Sequence, residues 1–301
     1  MTHADPAAVA DVLSRRFGGV WSARPANHSS FCATWRAVGP RSLFLKSAPA
    51  QSAEVLAAEA DGLQALADSR TIRVPAVVDC WIDTVRNTSV LALEWLELIS
   101  PDHDFGARLG TALAALHRAM PSEGHGAFGW RRDNMIGGTV QMNRWSGSGL
   151  TGWIGFQRQQ RLGAMRARLL TANAPSALID AVDAVMQSLP DFFADGHLPR
   201  PSLIHGDLWS GNWAMLPQGE PVIYDPAVSC ADAEAELAMM ELFGGVPQGF
   251  WPAYRAAFPL GAGYPRRRGI YQLYHLLNHA LLFGGSYFSQ SLSCARALAA
   301  R

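Results

Sequence analysis

His205-Gly206-Asp207-Leu208-Trp209-Ser210-Gly211-Asn212, with Tyr224-Asp225-Pro226 downstream, sets the expected architecture of the chain. Between the two strings, Asn212 to Leu216 and Pro221 to Tyr224 flank Pro217-Gln218-Gly219-Glu220, a strand, turn, strand pattern. An acid, an amide five residues later and a second acid at the far end of a hairpin can converge on one polyphosphate. In phosphoryl transfer the first aspartate accepts or orients the attacking hydroxyl, while the asparagine and the second aspartate hold the magnesium ions. Magnesium takes one or two carboxylates together with phosphate oxygens and water, which suits so sparse a ligand set. Asp207 is therefore the candidate catalytic residue, and Asn212 and Asp225 are the candidate metal ligands. Turn-capping alone would account for any one of them, but not for all three at this spacing. His205 reads as a structural brace of the same loop.

Outward from this core the chain divides in texture. A short helix is expected from Asp5-Pro6 to Gly18-Gly19. Phe31 to Val38 and Ser42 to Ser47 read as strands joined by Gly39-Pro40-Arg41, and the second carries Lys46. Ala53 to Ala67 reads as a helix with Leu56, Leu63 and Leu66 on one face and Glu59 at its middle. Val74 to Trp81 and Ser89 to Trp95 read as two further strands. After Ser100-Pro101 helices dominate: Ala107 to Ala119, Trp153 to Thr171, Ser176 to Ala194, Ala233 to Phe243 and Arg268 to Phe283, with a glycine-rich loop region from Gly124 to Gly152. An N-terminal lobe over residues 1–97 and a catalytic lobe over 98–301 are the expected division.

HGDLWSGN with YDPA resembles the fructosamine kinase (ketosamine-3-kinase) family, small-molecule kinases with the protein-kinase-like fold. Glu59-Ala60-Asp61-Gly62-Leu63, Leu109-Gly110 with Leu116-His117, Asp133 to Gly137, Gln141-Met142-Asn143 and Tyr271 to Asn278 resemble segments of that family in the same order. The resemblance implies an α+β, bilobal fold with a small antiparallel β-sheet lobe and one main helix beside a larger, mainly helical lobe. It implies ATP and Mg2+ as cofactors, and as acceptor the 3-hydroxyl of a ketosamine, a small or protein-bound glycated amine whose phosphorylation leads to deglycation. By the same resemblance Lys46 grips the α- and β-phosphates, Glu59 holds Lys46, and the backbone at Glu94 and Leu96 forms the adenine hinge. Trp209, Asn134 and Asn278 are its candidate substrate contacts. Asp104-Phe105-Gly106 spells the protein-kinase magnesium motif but precedes Asp207 by about a hundred residues, where a helix begins; order rejects it.

Two stretches depart from the family. Pro25 to Ser30, where a glycine-rich phosphate loop is expected, contains no glycine, and Cys32 lies just beyond it. After Asp225-Pro226-Ala227 the usual aromatic-Gly stretch and the arginine of an Arg-Glu pair are missing, although Glu234 still matches. These departures keep two alternatives open: an aminoglycoside-like or choline-like small-alcohol kinase, and an ATP-binding pseudokinase.

Composition narrows the partners. The 25 basic and 25 acidic side chains cancel, so no global field steers the chain onto nucleic acid or an anionic membrane. Arg266-Arg267-Arg268 and Arg131-Arg132 read as solvated faces, because no nucleic-acid platform accompanies them. No apolar run approaches the roughly 20 residues that span a bilayer, and the start lacks the order of a signal peptide. A cytoplasmic monomer is expected. The four scattered cysteines predict neither a zinc site nor a disulfide framework. Of the 25 bases only Lys46 is a lysine.

Overall fold

The computed structural model describes residues 5–28, 32–119 and 123–300. The first helix, α1 (Pro6–Phe17), is opened by Asp5, whose carboxylate accepts from the Ala7 N–H at 3.2 Å, and closed at Gly18 with φ +69°. The strands β1 (Ser22–His28), β2 (Ala33–Val38) and β3 (Ser42–Pro49) lead into α2 (Ala53–Asp68), then β4 (Val77–Asp83) and β5 (Thr88–Glu94). They form one antiparallel sheet in the order β1-β2-β3-β5-β4. Four of these strands match the sequence expectation. β1 is an addition, and it covers Pro25 to His28 of the stretch read as a phosphate loop; Ser29, Ser30 and Phe31 lie outside the described residues. Pro25 fits because β1 is an edge strand, where a missing N–H breaks no ladder, and a register shift follows it.

The two-residue period of β3 divides its side chains. Leu43 and Leu45 pack with Trp35, Val90 and Leu13 of α1, whereas Phe44, Lys46 and Ala48 take the opposite face, toward α2. On that face Leu56, Leu63 and Leu66 are all but fully buried, each contributing roughly 1.5–3 kcal/mol by leaving water. Their core is continuous with Phe105, Leu109 and Leu113 of α3 (Phe105–Arg118), so one apolar cluster joins both lobes.

The larger lobe continues through the hairpin β6 (Asn134–Ile136) and β7 (Thr139–Gln141), set inside the stretch read as loop. The expected helix Trp153 to Thr171 starts earlier and is not uniform: α4 (Gly149–Phe156), a π-helical turn (Gln157–Leu162) and α5 (Gly163–Thr171) run on without a break. The next, α6 (Ser176–Ser188), gives way to a 3-10 turn at Leu189-Pro190, where proline removes a helical donor. Then come β8 (Ser202–Ile204), β9 (Trp213–Met215), β10 (Pro221–Ile223), β11 (Ser229–Ala231) and α7 (Ala233–Leu242). The chain ends in α8 (Phe250–Ala257), α9 (Tyr264–Phe283) and α10 (Ser286–Ala299), of which α8 and α10 were not anticipated. β9 pairs with β10 as the motif predicts, and β8 pairs with β11. Among the described residues no helix is long and apolar enough to cross a membrane.

Candidate active site

The site forms where β3 and α2 meet the turns around β8 to β11. Lys46 is 3% exposed, and its ammonium lies 2.7–2.8 Å from the Glu59 carboxylate and 2.8 Å from Asp225 Oδ1. A buried cation is tolerable only when paired in this way. Burial works against its charge, but Glu59 and Asp225 outweigh that and hold the ammonium above its usual pKa. The helix bearing Glu59 is itself pinned to the other lobe: Trp130 Nε1–H donates to Asp61 at 2.8 Å, as does Arg131 at 2.7 Å. At Gly62 a Cβ would come 2.6 Å from Val228 Cγ2, so glycine permits this close docking.

Asp225 has φ +58°, a region that aspartate enters at some cost and that recurs at functional sites. Its side chain is 49% exposed while Pro226 to Val228 fold inward, so the turn presents the carboxylate to solvent beside Lys46. Asp207 follows His205 and Gly206 in the turn after β8. His205 is fully buried; its Nε2–H donates to the Tyr224 carbonyl at 2.9 Å and its Nδ1 accepts from the Asp207 N–H at 3.3 Å. Both ring nitrogens are thus committed to a neutral tautomer, in keeping with burial lowering the pKa, and the imidazole braces the loop as expected. Asn212 Nδ2–H donates to the Asp207 carbonyl at 2.8 Å, leaving its Oδ1 available.

Sequence reading missed Glu236. Fully buried on α7, it accepts from the backbone N–H groups of both His205 and Gly206, the latter at 3.0 Å. Gly206 has φ +85°, and a Cβ there would lie 2.1 Å from the Ala227 carbonyl oxygen. Burial first, then the charges of Glu236 and Asp225, push the Asp207 carboxyl well above the ordinary range, against a hydrogen bond from Asn212.

The remaining predicted residues are placed less uniformly. Trp209 is 41% exposed beside Asp207, its ring over Gly211. Asn134 is engaged on both sides of its amide, donating to the Val228 carbonyl at 2.8 Å and accepting from Gln141 at 2.9 Å. Asn278 donates to the Ile136 carbonyl at 3.2 Å, and its Oδ1 is buried without a partner among the described residues. The Glu94 carboxylate is gripped by Arg73 at 2.5 and 2.6 Å, while Leu96 packs on Ala214, Leu216 and Val222. Asp104-Phe105-Gly106 opens α3, with Phe105 fully buried.

One expectation is corrected. Arg267 is not on a solvated face: it is fully buried, bonded through Nε and Nη2 to Glu234 at 2.7 and 2.9 Å and through Nη1 to Asp195 at 2.6 Å. Because α9 begins at Tyr264, the three arginines fall on one helical turn, and the middle one points into the lobe.

Among the described residues, Asn212 Oδ1 and the Asp225 oxygen not facing Lys46 are oxygen donors left open to a divalent cation here. That donor set fits magnesium. The fructosamine kinase family model matches residues 25–300. The chain belongs to the fructosamine kinase family. A probable ketoamine kinase of Synechocystis is 44% identical over 255 residues, covering 84% of this chain and 81% of the relative. The chloroplastic protein-ribulosamine 3-kinase of Arabidopsis thaliana is 36% identical over 259 residues, covering 84% and 74%. A Thermobifida fusca crystal structure assigned as a fructosamine-3-kinase superposes with a TM-score of 0.83 at 29% identity, covering 97% of this chain and 99% of that one. An aminoglycoside phosphotransferase shares the fold of the family at 15% identity, with a TM-score of 0.68.

Proposed function

We propose that this protein is an ATP-dependent phosphotransferase that carries the γ-phosphoryl group to the 3-hydroxyl of a ketosamine. The observation that supports this reading most is Lys46 lying between Glu59 and Asp225, the arrangement a kinase needs before nucleotide binds. Residues 1–97 act as the nucleotide lobe and 98–301 as the catalytic lobe. Adenine is held by the backbone at Glu94 and Leu96, and the α- and β-phosphates by Lys46. Asn212 and Asp225 hold Mg2+, which when bound supplies the positive charge that neutralises the phosphates.

Asp207 takes the proton of the 3-hydroxyl as that oxygen attacks the γ-phosphorus. The bond from phosphorus to the β,γ-bridging oxygen breaks, and ADP leaves. His205, Glu236 and Asn212 contribute by holding the loop, so the reacting geometry is set before substrate arrives. Trp209, exposed at the mouth, contacts the acceptor. The acceptor is a free or protein-bound glycated amine, and the enzyme works as a cytoplasmic monomer with neither nucleic acid nor membrane as partner.

Incubation with ATP, Mg2+ and a panel of fructosamines, ribulosamines and amino sugars tests the reading. Phosphorylated ketosamine is the expected product; turnover of amino sugars alone would sink it. Asp207→Ala is expected to cut turnover by about 100- to 10,000-fold with ATP affinity nearly intact, measured by steady-state rates beside nucleotide titration.

A further inference from the structure

Behind the catalytic loop lies a cavity of about 30 Å3, room for roughly two water-sized groups. Gly206 and Glu236 line one side; Gln157 and Arg161 of the π-helical turn and Tyr274 and His275 of α9 line the other. The cavity adjoins the loop of Asp207, because Gly206, which lines it, immediately precedes that residue.

Two groups on its walls lack what burial ordinarily requires. Arg161 is 6% exposed, and its guanidinium meets neutral groups: Asn143 Oδ1 at 2.9 Å, Ser229 Oγ at 3.2 Å, the carbonyls of Met142 and Gln160, and the ring faces of Phe156 and Tyr274, 4.4 and 5.5 Å from their centroids. No carboxylate is within ion-pair distance of it among the described residues. His275 is also 6% exposed, and its Nδ1 has no hydrogen-bond partner among the described residues. Burial pulls the His275 pKa to about 3, so the ring is neutral, and pulls Arg161 to about 10, which leaves it charged. Native interiors seldom leave such groups without a reason.

The chemistry of the walls selects the ligand. Glu236 and Arg161 both line the space, one charge of each sign, which disfavours a simple anion. Donors and acceptors beside the rings of Trp153 and Tyr271 suit a chain of hydroxyls. The i→i+5 turn, a device frequent at functional sites, carries Gln157 and Arg161 to the same cavity as Trp153.

We propose that this cavity receives the first two hydroxyl groups of the acceptor's sugar tail, those borne by the carbons next beyond the reacting 3-hydroxyl. The inference rests on the ketosamine reading above. With the 3-hydroxyl at Asp207, a ketosamine has two ends to place. The amine end must stay outside when the amine belongs to a protein, so the tail is the end that turns inward, toward Gln157, Arg161 and His275.

The test compares the wild type with Gln157→Ala and Arg161→Gln, using ketosamines of four-, five- and six-carbon sugars on one common amine. Acceptor kcat and KM, ATP KM and calorimetric acceptor binding without ATP are measured, with thermal melts confirming folding. Gln157→Ala is expected to raise acceptor KM by about 10-fold for the two longer sugars, less for the shortest, with ATP KM unchanged. Should Arg161→Gln fail to fold, Gln157→Ala decides. An equal loss for all three sugars, or none, overturns the subsite while turnover by the wild type keeps the ketosamine reading. A wild type that neither phosphorylates nor binds any of the three brings down both.

Discussion

Arg267 and Arg161 are both buried in the larger lobe, and they are treated in opposite ways. Arg267 meets two carboxylates, Glu234 and Asp195, through three hydrogen bonds. Arg161 meets amide, hydroxyl and carbonyl oxygens and no acid. Removing a charge from water costs several kcal/mol, offset at Arg267 by its partners and much less fully at Arg161. A charge whose partners are all present belongs to the scaffold, locking α9 to α7 and to the segment after α6. A charge held by neutral oxygens and the rings of Phe156 and Tyr274, with no acid beside it, lines the cavity proposed as the subsite.

The contrast can be broken most directly at Arg267. Arg267→Met strands two carboxylates and is expected to cost about 3–5 kcal/mol in chemical denaturation; a loss below about 1 kcal/mol would show that the network does not hold the lobe. Lys46 sharpens the rule from the other side, since it is buried and fully paired yet lies at the proposed reacting centre. Lys46→Arg keeps the charge but replaces a compact ammonium with a planar fork. Its kcat/KM is expected to fall about 100-fold, roughly 2.7 kcal/mol, with a much smaller change in melting temperature.

Arg161→Met leaves no acid stranded, so its stability cost is expected at about 1–2 kcal/mol, from neutral acceptors left without a donor. A cost as large as that of Arg267→Met would erase the difference between the two arginines. The smallest effect concerns His197, whose Nε2 lies 2.9 Å from Asp232 at the edge of the Arg267 network. Burial opposes its charge, but the bond to Asp232 and the charge of Glu234 prevail and raise its pKa. A group raised on folding stabilises fully below its unfolded value, about 6.5, and loses that contribution as pH rises through the folded value. His197→Gln should therefore melt lower than the wild type near pH 5.5, and the two curves should converge toward pH 9.

The parts of this molecule legible in the sequence are those where one local segment carries the signal. The string from His205 to Asn212 and the hairpin to Asp225 placed the candidate catalytic loop beside β9 and β10, and the leucines of Ala53 to Ala67 placed the helix of Glu59. β1 was missed because Ser22-Ala-Arg-Pro-Ala-Asn-His28 has no alternation of apolar and polar residues, as befits an edge strand whose proline argues against it. The hairpin of β6 and β7 was read as loop because three-residue strands between glycines leave no period to detect. Arg267 was misread because a run of like charges does not say which member a helix turns inward. Glu236 and Arg161 act through partners 31 and 68 residues away, and no local pattern reports such pairing.

The burial of Lys46 has a consequence outside catalysis. A reducing sugar condenses with an accessible, unprotonated amine, and this chain has a single lysine amine. That one is 3% exposed and held as an ammonium between two carboxylates. Arginine supplies every other base, and a guanidinium stays protonated at any ordinary pH. A protein proposed to work on glycated amines thus offers sugar almost no lysine of its own, and its proposed phosphate-binding residue is shielded from the damage it is proposed to repair.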